Sequence, residues 1–298
     1  MSNFAKLKKS SGDISRLNKE LEKINTPNEK KGDDRFWKLD RDKSGNGAAV
    51  IRFLPTSEVD GDSVPWVRIF SHGFKGPTGK WYIDNSLTTL GQKDPVGEFN
   101  TQLWNATTDE NSWQRKQAKE QKRRLSYISN IYVVSDPKNP DNEGKVFLFK
   151  YGKKIFDKIT MLMNPEFEGD TPVNPFDFWS GANFKLRIRT VDGYPNYDQS
   201  TFDAAKPLLP DDDQLEQLWK KQYSLKEFID PKNFKSYDDL KKKLEDVLGT
   251  STLNTTVAGS FVAEKPVFNK PKPAVEETPA FDADDDDDEL EAFKRLAL

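Results

Sequence analysis

Phe184-Lys-Leu-Arg-Ile-Arg189 alternates without a break, with Phe184, Leu186 and Ile188 on one side and Lys185, Arg187 and Arg189 on the other. Successive side chains of a strand point to opposite faces, so the stretch predicts a β-strand with one core face and one basic face. Working outward, the strand extends over 183–191, and similar runs occur at 49–54, 66–74, 80–84, 124–135 and 145–151. Turn formers separate them, among them Ser44-Gly-Asn-Gly47, Pro77-Thr-Gly79, Asp136-Pro137 and Asp192-Gly193. Short strands with irregular spacers predict a small OB-type Greek-key barrel rather than a parallel sheet. Helices are expected at 153–163, 211–223 and 236–248, the last opened by Ser236 with Asp239 three residues on and stopped by Gly249. The class is therefore mainly β with added helices (α+β), and the folded core is placed at 28–249.

Both ends differ from this core. Residues 1–27 are basic and amphipathic: Asp13 can cap a helix carrying Ile14, Leu17, Leu21 and Ile24 on one face, and Pro27 ends it. Residues 250–298 read as a disordered linker and acidic tail, since spaced prolines and the run Asp284, Asp285, Asp286, Asp287, Asp288 preclude a packed core. The net charge of -3 hides the contrast. Residues 274–298 hold ten acidic residues against Lys294 and Arg295, a net -8, whereas residues 1–273 hold 44 basic and 39 acidic residues, a net +5. A basic body with an acidic tail points to a polyanion partner and an interaction tail.

Composition excludes several chemistries. There is no cysteine and one histidine, His72, so disulfides, thiolate metal sites and a Ser-His triad are not expected. Gly73-Phe-Lys-Gly-Pro-Thr-Gly79-Lys80-Trp81 has one residue too many for a P-loop and lacks its Ser/Thr; it reads as a turn between strands. The Asp run offers no fixed geometry for a two-metal nuclease, and the chain is not expected to be an enzyme. No apolar run approaches the roughly 18 residues of a membrane span, and the start lacks a signal-peptide core, so no membrane role and a cytoplasmic location are expected.

Aromatic residues make up 12% of a chain with mean hydropathy -0.82, and basic residues interleave with them. Lys122, Arg123 and Arg124 precede Tyr127; Phe149 and Tyr151 precede Lys153 and Lys154; Arg187 and Arg189 precede Tyr194 and Tyr197. Cations that follow a phosphate backbone, beside rings of which some stack on bases and others fill the core, make up a groove for single-stranded nucleic acid, because every base has a π-face.

Five stretches carry a resemblance: Asn46-Gly-Ala-Ala-Val-Ile-Arg-Phe-Leu-Pro55, Asn139-Pro-Asp-Asn-Glu-Gly-Lys-Val-Phe147, Gly152-Lys-Lys-Ile-Phe-Asp-Lys158, Gly181-Ala-Asn-Phe184 and Gly193-Tyr-Pro-Asn-Tyr197. Together they resemble the helix-destabilising single-stranded DNA-binding proteins of T-even-type bacteriophages, the family of the gene 32 product. The resemblance implies cooperative, largely sequence-independent coating of single-stranded DNA during viral replication, recombination and repair, in the cytoplasm of the infected host cell. It further implies self-association through Lys8, Lys9, Ser10 and Ser11. Partner proteins would be met by the acidic tail, with Leu290, Phe293 and Leu296 as apolar points beside the Asp284 to Asp288 run. Lys122-Arg-Arg-Leu-Ser126 resembles a similar basic patch in the family's DNA cleft, with Leu125 a departure.

Zinc is the sharpest departure. The family's best-known members hold structural zinc with one His and three Cys; His72 matches the former, but Ser86, Val96 and Phe99 stand where the thiolates would align. The expectation is that zinc is lost, that no cofactor is needed, and that Leu87, Leu90, Val96 and Phe99 pack in its place. A single-stranded RNA-binding translational regulator using the same cleft is the alternative function, and a nuclease with scattered carboxylates is a weaker one.

Overall fold

A computed structural model of the chain describes residues 33–250, apart from 168 and 192. The basic arm, with Lys8, Lys9, Ser10 and Ser11, and the tail, with Asp284 to Asp288, Leu290, Phe293 and Leu296, lie outside the described residues. The chain divides into units 1–36 and 37–298. In the first, residues 33–36 form a turn in which the Phe36 N–H donates to the Asp33 carbonyl at 3.0 Å.

The second unit is organised by one long strand. Among the described residues there are eight strands: β1 (Gly47–Phe53), β2 (Val67–Lys75), β3 (Trp81–Asn85), β4 (Arg124–Ser135), β5 (Val146–Tyr151), β6 (Phe184–Val191), β7 (Tyr194–Asn196) and β8 (Thr201–Phe202). β4 has two successive antiparallel partners on one edge, β2 from Arg124↔Ser71 to Ile128↔Val67 and β1 from Ile131↔Phe53 to Ser135↔Val50. Its other edge pairs with β5, from Tyr127↔Tyr151 to Tyr132↔Val146. A strand that hands one edge from one partner to the next must twist and bend between them. A register shift between Val50 and Ile51 in β1 adds to the bend. The result is a curled antiparallel sheet, a half-barrel, in the order β3-β2-β4-β1-β6-β7.

The alternation in β6 is as expected: Phe184, Leu186 and Ile188 are buried while Lys185 and Arg187 are exposed. β6 pairs with β1 from Ile51↔Phe184 to Gly47↔Ile188, which lays its apolar side beside Ala49 and Ile51. Rings fill the core around Phe53, which lies 5.4 to 6.4 Å from Phe149, Tyr151, Phe176, Phe184 and Phe202. Most of the aromatic surplus is therefore core.

Among the described residues five α-helices surround the sheet: α1 (Pro95–Asn105), α2 (Trp113–Glu120), α3 (Lys153–Met163), α4 (Asp212–Lys220) and α5 (Tyr237–Leu248). α3 buries Ile155 and Ile159 in the main core. α5 starts at its Ser236 cap, stops at the left-handed Gly249, and packs Leu240, Leu244 and Val247 against Phe74, Tyr82, Leu87 and Val96. The 73–81 stretch is the β2–β3 hairpin, where a side chain at Gly76 would collide with the Val247 carbonyl, its Cβ only 2.3 Å away.

Two differences from the sequence reading have local causes. α4 ends at Lys220 rather than at 223, because the Asn130 side chain accepts from the Tyr223 N–H at 3.0 Å and donates to its carbonyl at 2.9 Å, replacing helical partners. α1 and α2 were not anticipated, although Asp94-Pro95 and Ser112 are N-terminal signals. Asp94 accepts from the Val96 and Gly97 N–H groups, and Ser112 from that of Arg115. Their short, polar sequences hid the periodicity.

Candidate nucleic-acid interface

The β4–β5 register decides which basic residues meet. Since Tyr127 pairs with Tyr151 in antiparallel strands, the start of β4 adjoins the end of β5. Lys122, Arg123 and Arg124 thus share one end of the sheet with Lys153 and Lys154, which open α3. Arg124 is exposed, the other four are half-buried, and Lys153 pairs with Asp157 at 3.0 Å. The Arg123 guanidinium lies over the Phe70 ring at 4.2 Å. Opposed residues of an antiparallel pair share a face, so Arg68↔Tyr127 and Phe70↔Leu125 bring Arg68 and Phe70 to the Tyr127 face. Arg68 is exposed and Phe70 half-buried. Neither was singled out from sequence, although Val67-Arg-Ile-Phe70 alternates and carries the signal.

The rings divide differently from the cations. Tyr127 is only 6% exposed, stacked on Phe156 at 3.9 Å and on Tyr151 at 5.7 Å. Tyr151 is buried with its hydroxyl 2.9 Å from the Ser129 Oγ, and burial pushes its phenol well above the usual range. Phe149 packs edge-on against Trp37 at 5.5 Å, and Tyr197 belongs to the same core. Of the five rings offered for stacking, Tyr127, Phe149, Tyr151 and Tyr197 thus fall in the core, covered by α3 and the neighbouring strands. Tyr194, at 56% exposure, keeps an open face.

The β6 cations form a second patch. By register Lys185 and Arg187 lie on the face opposite Phe184 and Leu186, hence opposite Tyr127. Lys185 pairs with Asp203, and the Arg187 N–H donates to the Ser200 Oγ at 2.9 Å. The Arg189 guanidinium lies 3.1 to 3.2 Å from the Gln199 side-chain amide, which accepts from it when its oxygen is turned that way. The structure does not bring Arg187, Arg189 and Tyr194 onto the face that carries Arg68 and Phe70.

A buried polar cluster anchors the Lys122 to Arg124 run. The Gln121 carbonyl, one residue before it, is 2.9 Å from His72 Nδ1 and accepts from Asn100 Nδ2 at 3.1 Å. His72 Nε2 lies 3.1 Å from Asp94 Oδ2, which also accepts from the Val96 and Gly97 N–H groups, while Oδ1 accepts from that of Leu87. Burial pushes the Asp94 carboxyl up, but the His72 hydrogen bond and charge, with the Gly97 and Leu87 N–H groups, outweigh it and hold it below its ordinary value. Val96 and Phe99 join Leu87 in the apolar cluster, and Ser86 is fully buried with its hydroxyl 3.0 Å from that of Thr88. Leu90, expected to join them, is half-buried and outside that cluster. Both imidazole nitrogens are engaged and the three other positions carry no thiolate, so these residues do not fit a tetrahedral zinc. Among the described residues no group of three or more His, Cys, Asp or Glu is placed to hold a metal, and no helix is long and apolar enough to cross a membrane.

Cations from two chain segments, one of them laid over a ring, thus lie at one end of a curled antiparallel sheet, and the class is a β-sheet module with a basic, ring-bearing edge. The chain belongs to the family described as gp32 DNA binding protein like, whose model matches residues 45–248. It is 40% identical over 227 residues to the single-stranded DNA-binding protein of Enterobacteria phage T2, covering 74% of this chain and 72% of that one. With the single-stranded DNA-binding protein of Enterobacteria phage T4 the identity is 39% over 229 residues, covering 74% and 73%.

Proposed function

We propose that this chain binds single-stranded DNA without catalysis, coating it as a cooperative and largely sequence-independent polymer in viral replication, recombination and repair. The observation that carries the reading is the meeting of Lys122, Arg123 and Arg124 with Lys153 and Lys154 at one end of β4 and β5, beside Arg68 and Phe70. The family and the names of its relatives support it. The curled sheet is read as an OB-type core, and the strand runs over the Arg68 and Phe70 face. Arg187, Arg189 and Tyr194 supply a separate contact as the strand leaves. Lys8, Lys9, Ser10 and Ser11 link neighbouring molecules, and the acidic tail meets other replication proteins. The protein needs no zinc and works in the cytoplasm of the infected host cell.

Affinity for single-stranded DNA, single-stranded RNA and duplex DNA, measured across a salt series, tests the reading. Single-stranded DNA is expected to bind tightest, and each phosphate contact removed, as in Arg124→Ala or Arg68→Ala, is expected to reduce the salt slope by about 0.7. Preference for RNA would favour a translational regulator. A slope unchanged by Arg124→Ala and by Arg68→Ala would refute the placement of the path.

A further inference from the structure

The two faces of the β2–β3 hairpin are treated differently. On one, Phe74 and Tyr82 are covered by Leu240, Leu244 and Val247 of α5. The register Ser71↔Asn85, Gly73↔Ile83 and Lys75↔Trp81 sets the alternate residues on the other face. There Trp81 is 44% and Ile83 57% exposed, and Lys75 is exposed as well. Gly73, opposite Ile83 and diagonal to Trp81, carries no side chain, and a Cβ added to it would meet nothing within 4 Å. An indole and a bare stretch of backbone thus form one open pad.

This pad is joined to the basic run at the end of the sheet. Ser71 also pairs with Arg124, so Arg124 belongs to the Trp81 face, whereas its neighbour Arg123 lies over Phe70 on the other. The run therefore straddles the sheet where β4 begins. Lys75 follows on the same face, roughly 13 Å along β2 from Ser71.

Charge and size select the occupant. The two strands carry one carboxylate, Asp84, which alternation puts on the α5 face, where it pairs with Lys235 and Lys243. The open face has cations and a large ring, and no acid from its own strands. Two apolar side chains fall far short of the roughly 800 Å² per partner that a stable protein interface buries. A single base, in contrast, covers one indole, and the phosphates that flank a base suit flanking cations.

We infer that the face formed by Trp81, Gly73 and Lys75 is a further stacking site for single-stranded DNA, reached as the strand passes Arg124 and rounds the end of the sheet. One base lies on the Trp81 indole beside Gly73, and Lys75 holds a neighbouring phosphate. The inference rests on the proposed DNA-binding reading and adds a site to it. Any base can stack there, so coating stays tolerant of sequence.

The test follows binding of the full chain, by anisotropy over a salt series, to the shortest dT oligonucleotide that reaches full affinity for one molecule. Trp81→Ala is expected to weaken binding about tenfold, within the range for one stacking ring, with the salt slope unchanged. Trp81→Phe should restore most of the affinity. Gly73→Leu should weaken binding by filling the pad, in a backbone that is not left-handed. Lys75→Ala should reduce the salt slope by about 0.7. Photocrosslinking to an oligonucleotide carrying bromodeoxyuridine should label Trp81 in the unaltered protein; that label and Gly73→Leu decide the matter if Trp81→Ala fails to fold. Affinity unchanged by Trp81→Ala and by Gly73→Leu, while Arg68→Ala still weakens binding, overturns the site and leaves the DNA-binding reading standing. Losses confined to long strands make the face an interface between copies and overturn the site as well. Failure of the unaltered protein to bind any oligonucleotide overturns the DNA-binding reading and the site with it.

Discussion

Replacing Asp94 by Ala should be among the most damaging single changes in the folded unit. Its carboxylate is 2% exposed and receives the Val96 and Gly97 N–H groups that open α1, the Leu87 N–H, and His72. Loss of the helix cap alone costs about 1 kcal/mol. Leaving the Leu87 N–H and the His72 ring nitrogen buried without their acceptor costs about 1 to 3 kcal/mol each. These effects overlap, so the expected total is about 3 to 5 kcal/mol rather than their sum. The assay is urea denaturation of the full chain, with the midpoint lowered and the slope unchanged. The sign with pH follows from the lowered Asp94 value. The carboxylate stabilises fully above its unfolded pKa, about 3.9, and its contribution fades as pH falls through the lower folded value. The gap between the original and the variant should therefore persist from neutrality down to about pH 4 and close below it. His72→Ala combined with Asp94→Ala should cost less than the two single losses added together. Because the cluster also fixes the Gln121 carbonyl, Asp94→Ala should weaken DNA binding under conditions where it is still folded. A loss below about 1 kcal/mol, or additivity with His72→Ala, would refute the buried-acceptor argument.

Chelation and metal analysis should show no stoichiometric zinc and an unfolding midpoint unmoved by chelator; tightly bound zinc would overturn the reading of His72. Neutralising Lys8 and Lys9 together should lower affinity for long strands far more than for an oligonucleotide that fits one molecule, and equal losses would make the arm an ordinary phosphate contact. Deleting residues 274–298, which carry a net -8, should tighten single-strand binding at low salt, with the gain shrinking as salt screens the tail. The same deletion should abolish partner binding without moving the unfolding midpoint; unchanged binding at low salt together with intact recruitment would make the tail a solubilising appendage.

What was legible in the sequence was whatever depends on neighbours along the chain. The period-two pattern of Phe184 to Arg189 is written in six residues, as are the Ser236 start and Gly249 stop of α5, and β4 and α3 fall at the expected bounds. Side-chain chemistry at single positions was equally readable: Ser86, Val96 and Phe99 cannot ligate as thiolates wherever the fold puts them. The tertiary structure decided everything that depends on partners distant in sequence. Alternation separates two faces of a strand but does not say which face another element will cover, so core and stacking stayed open for Tyr127 and Tyr151 until α3 and the pairing of β4 with β5 buried them. For the same reason Lys122 to Arg124 and Lys153 to Lys154, well apart in the chain, become neighbours, whereas Arg187 falls on the opposite face. Arg68 and Phe70 gain meaning only through their register with β4, and His72 and Asn100, distant from Gln121 in the chain, meet on its carbonyl only in the folded unit. Pairing register and burial are cooperative, long-range outcomes of packing a whole core, and no local pattern encodes them.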